Sequence, residues 1–309
     1  MRVGNVKVVM RQDEPNIFMG NRCNQDCLFC SEAPEDRTMS FEQIRAMIDS
    51  KPDTISFEGG EPTLAKHLPD CVRMAKRKGI RDIILCTNGV RLGNPDYVRE
   101  LCEAGITLFN VNFPSHEERV FDLLTRTRGQ IHHRVKAIQT LISIAGGRRV
   151  RLNCIVNQLN YLLLENYVNF VWKNFPDIFY IEFNLIKILG YVRKRTYLVP
   201  RLKICAPYLN KAMNRMESLG MAFISDGFPL CALEGHERMA IDVYKKIFGD
   251  PLYMGEKMNP PVCRKCSLLE ICAGPRKDYI ELYGDSELSP SNKSPGPIRD
   301  AVSTIGPKR

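Results

Sequence analysis

No uncharged apolar run in the 309 residues approaches the roughly 18 needed to cross a bilayer. The amino-terminal stretch MRVGNVKVVMRQDEPN lacks a signal-peptide core. These absences exclude a membrane span and a secretory signal, and the expected location is the cytoplasm. No internal repeat is present. Charge of neither sign is concentrated: 44 basic and 35 acidic residues give a formal +9, with the basic residues spread along the chain. That balance permits an anionic substrate without implying a nucleic-acid binder. The five histidines (His67, His116, His132, His133 and His236) show no metal-binding spacing and read as surface or structural residues. Hydrophobic residues at 44% and charged residues at 26% suffice for a packed core and exclude wholesale disorder. The length suits one large α/β domain, or a domain with a small appendage.

What the chain does have is cysteine, at 12 positions. A cytosol keeps thiols reduced, so metal or iron–sulfur ligation is a stronger reading than a disulfide framework. Cys23, Cys27 and Cys30 gather near one end and Cys231, Cys263, Cys266 and Cys272 near the other, with five scattered between.

Between these groups, short β-branched runs alternate with helical patterns, as in parallel strands joined by crossover helices. Strands are predicted at Asn16–Gly20, Thr54–Glu58, Asp82–Cys86, Ile106–Phe113, Val150–Val156 and Phe179–Asn184. Helices are predicted at Ser40–Ser50, His67–Lys78, Asp96–Ala104, Gln130–Ala145 and Leu162–Asn174. Ser40 and Gln43 have the spacing of a capping box. The expected fold is an α/β, partial (β/α)6 TIM-like barrel over residues 1–199, with its chemistry at the carboxyl ends of the strands. A helix at Arg201–Leu219 and a short strand at Met221–Ile224 then lead into a small, loop-rich, cysteine-containing domain over 200–283. The Pro-, Ser- and Gly-rich stretch 284–309 reads as a flexible tail.

Cys23, Cys27 and Cys30 form C-x3-C-x2-C directly after the first strand. With 12 cysteines in 309 positions, such a triplet arises by chance in roughly 2% of chains. Three thiolates on one loop can hold three corners of an iron–sulfur cube and leave the fourth iron open. A zinc site with a distant fourth ligand is the blander alternative. The second strand ends in SFEGGEPTL, where two glycines permit close backbone approach to a ligand, and the third ends in IILCTNG.

This combination resembles the radical S-adenosylmethionine superfamily over roughly residues 14–185. The resemblance implies a [4Fe–4S] cluster on Cys23, Cys27 and Cys30 whose open iron chelates S-adenosylmethionine. It also implies reductive cleavage of that molecule to a 5′-deoxyadenosyl radical, which abstracts hydrogen from a substrate. Phe29 then matches the residue beside the adenine, and Gly59, Gly60 and Glu61 the segment whose backbone meets the methionine amino group. Thr87, ending the third strand, falls at the same mouth. Asn112 matches a ribose-contacting position more often occupied by serine. Arg151 and Asn153 share one face of the fifth strand, and one of them is expected to meet the methionine carboxylate or the substrate; Asn184 is a further candidate contact. A flavodoxin- or ferredoxin-type electron donor is implied.

Cys263, Cys266 and Cys272 form C-x2-C-x5-C, with Cys231 upstream. This resembles the SPASM and twitch extensions that hold auxiliary iron–sulfur clusters. The full SPASM pattern places another cysteine where Arg276 stands here, and no cysteine follows Cys272. A shortened, twitch-like domain with one [4Fe–4S] cluster on Cys231, Cys263, Cys266 and Cys272 is therefore expected, with a zinc ribbon as the alternative. Cys71, Cys86, Cys102 and Cys154 read as small packed hydrophobes. Cys205, near the junction of barrel and extension, is a candidate hydrogen donor to a substrate radical.

Lys187, Arg193, Lys194 and Arg195 fall just beyond the sixth strand, either to capture a phosphate or carboxylate or as a solvated loop. Only 22 residues precede Cys23, too few for the peptide-binding module of many radical peptide maturases. A small polar biosynthetic intermediate of sugar, aminocyclitol or nucleoside type is therefore the expected substrate, undergoing oxidation, epimerisation or rearrangement. A ribosomal-peptide maturase is the alternative. A non-catalytic iron–sulfur or zinc scaffold, or a redox sensor, is the alternative from another class.

Overall fold

The computed structural model describes residues 2–3, 6–7, 15–32, 37–248 and 255–303. Its centre is one sheet of seven parallel strands in chain order: β1 (Asn16–Phe18), β2 (Thr54–Glu58), β3 (Asp82–Thr87), β4 (Leu108–Asn112), β5 (Val150–Val156), β6 (Tyr180–Leu185) and β7 (Phe223–Asp226). The crossovers carry α1 (Phe41–Asp49), α2 (Leu68–Arg77), α3 (Pro95–Ala104), α4 (Glu118–Thr125) with α5 (Ile131–Ala145), α6 (Leu164–Asn174) and α7 (Leu202–Ser218). Parallel strands in sequence order, each followed by a helix, make the expected TIM-like partial barrel. β1 and β7 do not pair with each other, so the barrel is open along one side.

Alternation along the strands separates two environments. In β5, Val150, Leu152, Cys154 and Val156 are buried among the helices, while Arg151, Asn153 and Ile155 turn to the opposite, concave face. Helix α1 begins as its spacing predicts: Gln43 N donates to Ser40 Oγ at 3.2 Å, and Ser40 N to Gln43 Oε1 at 2.8 Å.

Three expectations need correction. The barrel has seven strands rather than six, because the strand expected at Met221–Ile224 forms at Phe223–Asp226 and pairs with β6 from Ile181↔Phe223 to Asn184↔Asp226. The sheet thus runs past residue 199, where the barrel was expected to end. Helix α4, absent from the sequence reading, is capped by the Glu117 carboxylate on Val120 N and ends at Arg126 in the left-handed region, φ 54°. Finally, residues 284–303 are not a loose tail. Leu288 is buried, Ser267 N donates to Ser291 O at 2.9 Å, and a helix forms at Pro295–Ser303 with Val302 buried.

The extension is fastened to the barrel by buried charge. Arg276, standing where the longer pattern would have a cysteine, donates from Nη1 to Leu185 O at 3.2 Å and from Nη2 to Ile186 O, both at the end of β6. Lys257 Nζ lies 2.8 Å from Asp242 Oδ2 with both side chains buried, and the same carboxylate oxygen accepts from Gly227 N beside β7. Removing one member of such a pair strands the other charge in a low dielectric. Lys257→Met is therefore expected to destabilise the protein by about 3–5 kcal/mol. A double-mutant cycle with Asp242→Asn, followed by denaturant unfolding, should recover much of that loss; additive losses would contradict the coupling.

Candidate active site

The loop after β1 carries Cys23, Cys27 and Cys30, and two glycines at the end of β2 make room for it. A Cβ on Gly60 would lie 2.5 Å from Arg22 O and 2.6 Å from Asn21 O. Gly59 has φ 128°, and its Cβ would lie 2.5 Å from Gly20 O. In their place run backbone bonds, Gly60 N to Gly20 O at 2.7 Å and Glu61 N to Arg22 O at 2.8 Å.

The Glu61 side chain is turned inward and is 3% exposed. Its Oε1 accepts from Thr63 N, Thr63 Oγ1 and Thr87 Oγ1 at 3.1, 2.6 and 2.7 Å, and its Oε2 from Asn88 N at 2.7 Å. Thr87 is thereby engaged in tying β2 to β3. Asn88 completes the connection, its Nδ2 lying 2.6 Å from Asn24 Oδ1 and 3.7 Å from Cys23 Sγ. Gln25 N donates to Cys23 Sγ at 3.4 Å.

Two further elements hold the loop from its other side. Leu28 N donates to Leu124 O of α4 at 2.8 Å, and Arg126 pairs with Asp26 at 2.9 Å. Beyond β6, Tyr191 N donates to Cys30 O at 3.0 Å and Arg195 Nη1 to Leu28 O at 3.1 Å. Lys187 pairs with Glu256 at 3.3 Å. The basic stretch 187–195 is therefore in part a brace for the cysteine loop. Phe29 is buried in the hydrophobic core.

Burial pushes the Cys27 thiol up to about 12, helped by the neighbouring Cys23 and Cys30, and raises Cys23 as well. Both thiols must lose their protons to ligate metal. Three thiols on one pinned loop, with an amide N–H and the Asn88 side chain reaching one sulfur, fit a cluster bound at three corners.

The sequence reading missed Arg134, on the buried stripe of α5. Its Nη1 donates to Asn112 O at 3.1 Å, and it is 3% exposed. The signal was a charged residue at i+3 from Ile131 and i−4 from Ile138 on an apolar helix face.

The concave face below the loop is polar. Asn184 Nδ2 donates to Asn153 Oδ1 at 2.9 Å, and Asn153 is paired in register with Asn112 at the end of β4. Arg151 lies one inward layer deeper, opposite Asn110, donating to Tyr180 OH at 2.8 Å and 3.7 Å from Glu182. Of the two candidates on β5, Asn153 is the one level with the strand ends. Cys86 also belongs to this layer rather than to an apolar core: Asn110 Nδ2 lies 3.3 Å and Ser56 Oγ 3.4 Å from its sulfur. Asn110 Oδ1 and Asn112 Oδ1 are buried without a hydrogen-bond partner.

Cys205 is not at an open mouth. It is fully buried in α7, its thiol 3.8 Å from Leu202 O and pushed up to about 12 by burial. Cys71 and Cys154 are buried as expected, and Cys102 is half-buried.

Cys231, Cys263, Cys266 and Cys272 line a single pocket with Leu230, Leu288 and Ser289. Ser291 N donates to Cys266 Sγ and Gly274 N to Cys272 Sγ, each at 3.3 Å. Lys246 Nζ donates to Leu269 O at 2.8 Å and to Cys272 O. Sulfur-only donors with amide N–H groups aimed at them fit an iron–sulfur cluster, and C-x2-C spacing also fits zinc. Among the described residues no three His, Cys, Asp or Glu side chains are gathered tightly enough to hold a single metal ion. No helix among those residues is long and apolar enough to cross a membrane.

Residues 17–156 match the family model of the Radical SAM superfamily. The chain is 28% identical over 199 residues to 7,8-dihydro-6-hydroxymethylpterin dimethyltransferase of Methanocaldococcus jannaschii, covering 61% of this chain and 39% of that protein. It is 30% identical over 183 residues to the probable GTP 3′,8-cyclase of Sulfurisphaera tokodaii, covering 57% and 56%. The chain thus spans 39% and 56% of the length of these curated relatives. Its fold resembles native anSMEcpe with bound AdoMet, with a TM-score of 0.60 at 12% identity over 94% of this chain and 95% of that one. It also resembles Streptococcus suis SuiB bound to S-adenosylmethionine, at 0.55 and 14% identity over 69% and 46%. The family implies S-adenosylmethionine and a [4Fe–4S] cluster, the groups that the three-thiol loop fits. From β1 to β5, over residues 17–156, the chain is thus similar to the Radical SAM superfamily domain.

Proposed function

We propose that the protein is a radical S-adenosylmethionine enzyme that activates a C–H bond in a small, polar substrate. The observation that carries this reading is the polar concave face beneath the pinned cysteine loop. Asn110 Oδ1 and Asn112 Oδ1, buried without partners, are acceptors for a hydroxyl- or amine-rich ligand. Glu182, Arg151 and Tyr180 form a charged floor that favours a polar molecule over an apolar one. Two curated relatives are named for GTP and for a hydroxymethylpterin, both small polar heterocycles, which supports a substrate of nucleoside type. The bound groups would supply one-electron cleavage of S-adenosylmethionine and hydrogen abstraction. Asn112, Asn153 and Asn184 would orient ligands at the strand ends, and Gly59 and Gly60 let the end of β2 pack against the cysteine loop.

The carboxyl-terminal part is read as a twitch-like extension whose Cys231, Cys263, Cys266 and Cys272 hold a second [4Fe–4S] cluster. Its support is the shared pocket and the two amide N–H donors on sulfur. A flavodoxin- or ferredoxin-type donor would supply the electron.

Anaerobic reconstitution with iron and sulfide tests the reading. Dithionite-reduced protein is expected to convert S-adenosylmethionine to 5′-deoxyadenosine, with about eight irons per chain. Cys27→Ala should abolish that product and retain about four irons. Absence of 5′-deoxyadenosine from fully loaded protein would refute the activity, and about four irons with one zinc would refute the second cluster.

A further inference from the structure

We infer that Arg134 is the buried countercharge of the three-thiol site, where its guanidinium favours the more negative, reduced state of an iron–sulfur cluster and so sets that cluster's reduction potential. The inference rests on reading Cys23, Cys27 and Cys30 as cluster ligands.

Placing an arginine on the stripe formed by Ile131, Ala137, Ile138 and Leu141 drives a permanent charge into the interior. Such burial costs several kcal/mol unless the charge is compensated. No carboxylate among the described residues forms an ion pair with Arg134. Its Nη1 is taken by Asn112 O, and its Nε is buried with no partner. The Glu61 carboxylate, the largest charge acting on Arg134, is bonded to four neutral donors and makes no ion pair with the guanidinium, so it offsets the buried cation only at a distance.

The elements that enclose this cation are those that grip the cysteine loop. Its stem packs at Gly89, where a Cβ would lie 3.4 Å from Arg134 Cδ, and Gly89 follows Asn88, whose amide reaches Cys23 Sγ. The guanidinium lies 5.5 Å from the ring centroid of Phe121, on the helix whose Leu124 carbonyl holds Leu28 N. The positive charge therefore sits among the elements that also hold the cysteine loop. Burial lowers the Arg134 guanidinium to about 10, while the neighbouring Glu61, Cys27 and Cys23 oppose that shift. A hydrogen bond to Asn112 O alone would not need a charge, since a neutral amide could donate it. A cluster that gains an electron is favoured by one, because a fixed, buried cation nearby stabilises each added negative charge.

The test is the midpoint potential of the reconstituted protein without S-adenosylmethionine, followed by the EPR signal that disappears in Cys23→Ala. In Arg134→Met and Arg134→Gln the one-electron reduction equilibrium is expected to fall at least tenfold, a shift of about 59 mV to more negative potential. Arg134→Lys, which keeps the charge, should stay within about threefold of the parent. Two neutral replacements of different shape guard against one that fails to fold. A parental potential in the neutral variants would overturn the inference. So would an equal fall in the lysine variant, which would assign the effect to hydrogen-bond geometry. An unchanged potential with weakened S-adenosylmethionine binding would place the charge on that ligand's carboxylate instead. A protein that builds no cube on these thiols refutes the proposed function; a cube indifferent to Arg134 refutes only this inference.

Discussion

Glu61→Ala is expected to lower stability by about 4 kcal/mol and the Tm by roughly 8 °C, and to uncouple the cysteine loop from the barrel. The carboxylate is the meeting point of four donors from two strand ends, and its residue, Thr63, Thr87 and Asn88 are all buried. Each buried donor left without an acceptor costs about 1–3 kcal/mol, and water entering the vacated volume recovers only part of it. Asn88 is also the residue that reaches Asn24 and Cys23, so its release loosens the site directly. Glu61→Gln separates the two effects. The amide oxygen can still serve Thr63 and Thr87, but the amide nitrogen would face Asn88 N, donor against donor. The glutamine variant should therefore keep most of the stability while losing order at Asn88. Thermal unfolding of both variants, with amide exchange at residues 86–90, checks the prediction. Parental melting in Glu61→Ala would show that the four contacts contribute little.

This behaviour shows where sequence reading succeeds and where it stops. That Gly59 and Gly60 permit a close backbone approach was legible, because a glycine pair at a strand end has few other uses, but what the structure brings against them is the main chain of Gly20–Arg22 and not the ligand expected there. The Glu61 carboxylate was not, since its partners at Thr87 and Asn88 lie 26 and 27 positions away and no local rule links them. Strand and helix periodicity exposed six βα units, yet a strand of four residues carries no label for the sheet it joins, so β7 was assigned to the extension. Helix α4 escaped because it is short and ends on Arg126, where a glycine would normally mark the left-handed stop. The stretch after Gly284 has the composition of a loose segment but is held by Ser267, by the Cys266 sulfur and by Arg299 on Glu270. Tertiary hydrogen bonds overrode composition there. Both cysteine groups were visible as spacing, whereas Arg134 needed the helix to be folded before its isolation could be seen.

Gly60→Ala should leave the barrel folded and reduce 5′-deoxyadenosine formation by about a hundredfold. Gly60, unlike Gly59, does not have a positive φ, so the obstacle is space rather than backbone strain. The three atoms nearest the added methyl, Arg22 O, Asn21 O and Asn21 C, are backbone atoms at 2.5, 2.6 and 2.7 Å, about 0.9 Å short of ordinary contact in the closest case. A side chain could rotate away; main chain one residue before Cys23 must translate, carrying the first thiol with it and stretching the Glu61 N to Arg22 O bond. A displacement of about 1 Å in a reacting constellation costs on the order of a hundredfold in rate. The stability loss should be small by comparison, because the strained loop is exposed at Asn21, Arg22 and Cys23 and can shift outward. Iron content, Tm and the rate of S-adenosylmethionine cleavage, measured side by side, distinguish the outcomes. A variant with full iron, parental Tm and undiminished cleavage would mean that the approach of β2 to the cysteine loop does not set the geometry of the site.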